Sequence, residues 1–188
     1  MDLKKLKEPL TIEDIDFRVQ SINKGGYATI LAYKDARVDM NRLDDVCGSD
    51  CWQRNHKEIK NVIYCGIGIN VTDGTGIDID PLWVWKWDAG TESMAEKQKG
   101  EASDSFKRAG FNWGIGRELY DYPVISVKLL ANEWELKTIS GKKYPKATWD
   151  LKLKEWKWIS EFKDGKITGL AAQDNNGATR FNWGKFTK

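Results

Sequence analysis

The chain has 188 residues, 40% of them hydrophobic and 31% charged, and its 30 Lys and Arg against 28 Asp and Glu leave a formal net charge of +2. That length suits one domain, and the balance excludes a highly charged disordered chain. It also speaks against a protein that holds nucleic acid simply by being basic.

The unusual component is aromatic: ten Trp, six Tyr and six Phe, against a background in which Trp is not among the common residues. No run approaches the roughly 18 apolar residues of a membrane span, so no membrane partner is expected. The basic start, Met1 to Lys7, has no apolar stretch after it and does not read as a secretory signal. Three cysteines, an odd number, speak against a disulfide framework and for a reducing, cytoplasmic compartment.

Residues 10–22 are mixed in character and predict a short helix, opened by Thr11 and Asp14 in a variant capping box. Gly25-Gly26 breaks it, and 27–33, rich in β-branched and aromatic residues, predicts a strand. Residues 34–46 turn helical, with Ala36, Met40, Leu43 and Cys47 on one apolar face. Gly48 ends that helix. Residues 52–60 alternate loosely, 61–71 predicts a strong strand, and Asp73-Gly74-Thr75-Gly76 supplies turn chemistry. In 82–87 the period of two puts Trp83, Trp85 and Trp87 on one face of a further strand.

Residues 93–120 read as a glycine-studded helix. Ala102, Phe106, Ala109, Trp113 and Tyr120 fall within about 40° of one line at about 100° per residue, a buried stripe. Lys107 and Arg108 fall opposite it. Gly110 and Gly114 cost helix propensity, which predicts close approach by a neighbouring element or a bend near Gly114-Gly116. Beyond Pro123 helical patterning fades. Residues 149–154 and 155–160 alternate as strands, and Asp164-Gly165 and Asn176-Gly177 mark hairpin turns. The expected organisation is a core over 1–122 and a β-rich extension of the same domain over 123–188.

The near-zero net charge conceals segregation. Residues 39–50 hold four Asp against Arg42, and 73–88 hold four Asp against Lys86. Residues 137–157 hold seven Lys against Asp150 and Glu155, interleaved with Tyr144, Trp149 and Trp156. Cations beside exposed rings suit single-stranded nucleic acid. A solvated hairpin with Lys outside and Trp in the core accounts for the same block.

Enzymatic signals are weak. His56 is the only histidine, no serine nucleophile elbow or P-loop occurs, and no carboxylate spacing singles out an acid–base pair. Asp44, Asp45, Asp73, Asp78 and Asp80 are the raw material for a metal-dependent nuclease, although Asp in turns explains them equally. A Trp-rich carbohydrate-binding module is a third alternative. Cys47, Cys51, His56 and Cys65 form a Cys₃His set, but their spacing matches no usual zinc knuckle. No cofactor and no metal are expected.

The stretch Lys99-Gly100-Glu101-Ala102-Ser103-Asp104-Ser105-Phe106-Lys107-Arg108-Ala109, followed by Trp113-Gly114-Ile115-Gly116-Arg117-Glu118-Leu119-Tyr120, resembles the Rad fifty-two group of single-strand annealing proteins, especially its compact phage and prophage members. The resemblance extends over about residues 27–122 through Tyr33-Lys34-Asp35-Ala36-Arg37-Val38, Leu43 and Trp52, and more weakly over 163–184.

It implies an α+β protomer, with an antiparallel β-hairpin sheet packed on a long signature helix and a C-terminal β appendage. It also implies protomers that assemble as a ring or filament. The implied function is binding of single-stranded DNA and annealing of complementary strands in recombination and repair, without ATP and without enzymatic activity. A basic groove would hold the DNA backbone and leave the bases free to pair.

The family's groove-lining cations fall on Arg37, Lys107 and Arg108, and Lys99, Phe111 and Arg117 of the same stretch join them as candidate DNA contacts. Phe111 stands where eukaryotic members carry a further Arg, so the resemblance implies that one phosphate contact is either missing there or replaced by stacking. The recombinase and replication-protein partners of eukaryotic tails are not carried over. A single-strand-binding protein or an exonuclease is the remaining class of protein partner.

Overall fold

A computed structural model describes residues 1–72, 80–90 and 97–186. The turn at Asp73–Gly76 and the expected helix start before residue 97 lie outside them. The described chain is α+β, with antiparallel strand pairing in its sheets and two α-helices. Its contacts divide it into two compact units, Met1–Leu10 with Lys34–Arg117, and Thr11–Tyr33 with Glu118–Lys188.

In the second unit, β1 (Ile15–Ile22), β2 (Tyr27–Lys34) and β6 (Ile125–Lys128) form one sheet in the order β1-β2-β6. The expected helix over 10–22 is therefore corrected to a 3-10 turn, Ile12–Asp14, followed by a strand. The Thr11–Asp14 capping box is present, but it opens only that single turn. Ile15 and Phe17 are buried, whereas Asp16 and Arg18 are exposed. That alternation of two fits a strand with one covered face. The strand over 27–33 is β2, as its β-branched and aromatic residues predict.

The hairpin β7 (Trp134–Ile139) and β8 (Lys142–Ala147) is a separate two-stranded sheet, turned by Ser140 and Gly141 at positive φ. The last sheet, β9 (Lys157–Lys163), β10 (Lys166–Gln173) and β11 (Thr179–Gly184), turns at Asp164-Gly165 and around Gly177, where the turn signals stand. Residues 153–155 form a 3-10 turn in place of the expected strand. The Lys-rich block separates: Trp149 is 95% exposed and Tyr144 48%, whereas Trp156 is buried. Its Trp residues are thus neither all core nor all surface. Phe17 stacks on Trp158 at 3.6 Å between ring centroids, and Trp156 lies beside Trp158.

In the first unit, β3 (Trp52–Ile59), β4 (Val62–Asn70) and β5 (Trp83–Ala89) form an antiparallel sheet in that order. Helix α1 (Ala36–Cys47) is N-capped by the Asp35 side chain, which accepts from the Arg37 amide, and it ends at Gly48, φ +91°. Of its expected apolar face only Leu43 is fully buried; Ala36, Met40 and Cys47 are half-buried, and Asp39 is completely buried. Helix α2 (Lys97–Trp113) packs Phe106, Ala109 and Trp113 against the buried Cys65, Ile67 and Ile69 of β4. The Trp113 indole also donates to the Ile67 carbonyl at 3.0 Å.

The expected stripe does not reach Tyr120, which is 67% exposed. Gly114 and Gly116 adopt φ of +106° and +70° and end the helix at Trp113, so the helical period has no meaning seven residues later.

Candidate nucleic-acid interface

The candidate cations sit on two helices of the first unit. Arg37 lies in the first turn of α1, its side chain 82% exposed, with Nε 3.1 Å from Asp35 Oδ1. Lys107, half-buried on α2, also acts on Asp35. The Arg37 amide, the Arg37 guanidinium and the Lys107 charge together lower the Asp35 carboxyl. Of the two cations, Arg37 is the one that bonds to this carboxylate, while Lys107, seventy residues away in sequence, acts on it through its charge. Arg108 points elsewhere: its Nε is 3.3 Å from Asp88 Oδ1 on β5, where the Asn112 amide also donates.

Beneath these cations lies a buried ion pair. Lys34 Nζ donates to Asp39 Oδ1, to the Ile115 carbonyl at 2.9 Å and to the Lys107 carbonyl at 3.4 Å. It also lies 4.2 Å from the centre of the Phe111 ring. Lys34 is 2% exposed and Asp39 0%. Asp39 Oδ2 has no hydrogen-bond partner among the described residues, and burial raises its carboxyl to about 6 against the opposing pull of Lys34. The close approach expected at Gly110 is this one, since a Cβ there would collide with Asp39 Oδ1. Phe111 is half-buried, and the ring proposed to stack on DNA faces a buried ammonium within the protomer.

Arg117 is exposed, and its guanidinium donates to the Phe111 carbonyl at 2.6 Å and the Asn112 carbonyl at 3.1 Å. It therefore caps the negative end of α2. Lys86 of β5 donates to the same Asn112 carbonyl at 3.0 Å and lies 4.3 Å from the Trp113 ring. Burial, with Arg117 and Lys7 close by, lowers the Lys86 ammonium. Lys7 and Lys86 did not stand out in the sequence. The only available signal for Lys7 was the basic run at the start. Lys86 sat among acidic residues and Trp. Lys99 lies within α2, and nothing further is described of it.

No group of three His, Cys, Asp or Glu that could hold a metal occurs among the described residues. Burial pushes the Cys47 and Cys65 thiols up to about 11, away from the thiolate a metal requires. Asp44 accepts from the Trp52 indole at 2.6 Å, while Asp73 and Asp78 lie outside the described residues. No described helix is long and apolar enough to cross a membrane.

Residues 3–135 match the model of the Rad52/22 family double-strand break repair protein, a span that includes both helices and every candidate cation named above. The chain belongs to that family. It is 31% identical over 123 residues to a single-stranded DNA-binding protein, DdrA, of Deinococcus radiodurans, covering 64% of this chain and 55% of the relative. The DdrA of Deinococcus deserti is 31% identical over 128 residues, covering 64% and 57%. The chain thus spans somewhat over half the length of these curated relatives. No solved structure matches it.

Proposed function

We propose that this protein binds single-stranded DNA through the cations of α1 and α2 and anneals complementary strands in recombination and repair. The family match over residues 3–135 carries the reading, because it encloses Arg37, Lys107 and Arg108 together with the helices that bear them. The DNA-binding names of both relatives support it.

Annealing makes and breaks no covalent bond, so it needs cations to reduce repulsion between strands rather than a catalytic group or ATP. Phosphate binding releases counterions, and the log–log salt dependence of affinity has a slope of about −0.7 per phosphate neutralised. Protomers arranged as a ring or filament repeat the cationic surface along one strand, and each added protomer multiplies the contacts. The annealing function is assigned to residues 1–122, with 123–188 as their extension. A single-strand-binding protein or an exonuclease remains the proposed class of protein partner.

The test is binding and annealing of complementary labelled oligonucleotides without nucleotide cofactor. Arg37→Ala, Lys107→Ala and Arg108→Ala should each weaken binding and make its salt slope shallower, while far-UV circular dichroism stays unchanged. Unaltered binding in all three variants overturns the groove assignment. Shortening of the labelled strand in magnesium would instead mark a nuclease.

A further inference from the structure

The sheet of β3, β4 and β5 has two unlike faces. One packs on α2, where Arg54 and Trp52 approach Phe106 and Lys86 approaches Trp113. The register pairs Gly66 with Trp87 and Gly68 with Trp85, placing these four residues and Trp83 on the other face. The two glycines provide the floor. A Cβ on Gly66 would meet three atoms of the Trp87 ring at 2.5–2.7 Å, and one on Gly68 would meet the same three atoms of Trp85 at 2.7–2.8 Å. Near-equal distances to Cδ2, Cε2 and Cζ2 mean that each ring lies flat over a glycine. One side of each indole is covered by backbone, and the Lys57 ammonium lies over the Trp87 ring.

Trp85 and Trp87 stack with centroids 5.7 Å apart and planes 25° from parallel. Trp83, Trp85 and Trp87 are all half-buried. Strand geometry repeats such a ring about every 6.8 Å.

The chemistry around the rings is cationic and amide-rich. Exposed Lys57 places Nζ 4.4 Å from the Trp87 ring centre. Gln53 and Asn55 lie on the same face of β3 and are exposed. None of the residues that β3, β4 and β5 direct to this face is Asp or Glu, whereas the α2 side carries Glu58 and Asp88.

From this we infer that the Trp83–Trp85–Trp87 face is a stacking platform for unpaired nucleobases, separate from the cations of α1 and α2, with Lys57 placed for the accompanying phosphate. Flat, partly exposed rings accept any base, since every base has a π-face. A polyanion is favoured where a Lys is present and carboxylates are absent. The inference rests on the proposed single-strand binding. It adds a second class of contact, to bases rather than to phosphates.

Anisotropy titrations should use an oligothymidine strand and an abasic strand of the same length, which has phosphates but no bases. Trp85→Ala and Trp87→Ala should each weaken oligothymidine binding on the order of tenfold, leaving the abasic strand and the salt slope unchanged. A measurement on the unsubstituted protein guards against a folding defect: an oligonucleotide carrying 5-iodouracil should photocrosslink to the peptide containing Trp83, Trp85 and Trp87. If both variants bind oligothymidine normally, or the crosslinks fall elsewhere, the platform is overturned and the DNA reading stands. If the variants break up an oligomer of the unsubstituted protein, a second copy covers this face and the platform is likewise overturned. If the unsubstituted protein binds neither strand, both readings fail.

Discussion

Lys34 and Asp39 hold a positive and a negative charge in an environment with almost no water. Burying two ions is favourable only with mutual attraction and further hydrogen bonds, and removing one partner typically costs about 3–5 kcal/mol. Lys34→Met should therefore destabilise the protein by about that amount at pH 7, measured by urea unfolding. The defect should shrink as pH falls, with a definite sign. Asp39 titrates near 6 when folded against an ordinary value of 3.8. Its contribution to stability is complete below about pH 3.8 and is lost as pH rises through about 6. Without Lys34 the carboxyl rises further, so acid relieves the variant more than the parent. The double variant Lys34→Met with Asp39→Leu should recover much of the loss, because it leaves no lone buried charge. Gly110→Ala tests the same contact from the helix side. The gain of up to about 1 kcal/mol in helix propensity should be outweighed by the collision with Asp39, giving a net fall in melting temperature.

At the scale of elements, Arg180 ties β11 to the segment after β6. Its guanidinium meets Glu133 at 2.7 Å, Asp174 at 3.1 Å and the Lys128 carbonyl at 3.2 Å, and it lies 4.6 Å from the Trp156 ring centre. Glu133 is 4% exposed, so Arg180→Ala leaves a buried carboxylate without its cation and should cost about 3–5 kcal/mol in urea unfolding. Arg180→Lys should restore only part of this, since one ammonium cannot reproduce the planar fork.

Helix α2 shows which element features local sequence specifies. Its apolar spacing located Phe106, Ala109 and Trp113 in the core, and its glycines signalled close approach or a bend, where the structure has both the approach at Gly110 and a helix end at Trp113. The same spacing carried too far placed Tyr120 in the core, because periodicity does not register that Gly114 has already left the helix. Residues 10–22 failed for a related reason. A short mixed segment carries both periods weakly, and pairing with β2 decided it.

For the whole molecule, a net charge of +2 conveys little, because binding depends on where charge sits. Arg37 pairs with Asp35, and Lys7, Lys86 and Arg117 collect at the end of α2. A protomer with separate patches of this kind gains reach along a strand by repetition. Native mass spectrometry, with and without oligothymidine, should find a closed ring or a filament series. Monomer alone in both conditions would count against the proposed assembly.

The sequence by itself determined the family, the α+β class, the strands β2, β4 and β5 and the turns at Asp164-Gly165 and Gly177. Those properties reside in residue types at short, regular spacing: an alternating run, an Asn-Gly turn, a Lys-Arg pair on a glycine-bearing helix. Only the tertiary structure decided what each charge and ring faces. It placed a lysine and an aspartate in the core, turned Arg108 toward Asp88, set Arg117 on a helix end and laid two Trp rings flat on Gly66 and Gly68. These outcomes depend on neighbours from distant parts of the chain, and the energy of a buried charge or a stacked ring depends on the partner across the gap. The aromatic excess was visible in the composition from the start. Periodicity already placed Trp113 in a buried stripe and Trp83, Trp85 and Trp87 on one strand face, whereas packing alone decided that Trp156 and Trp158 are buried and Trp149 is exposed.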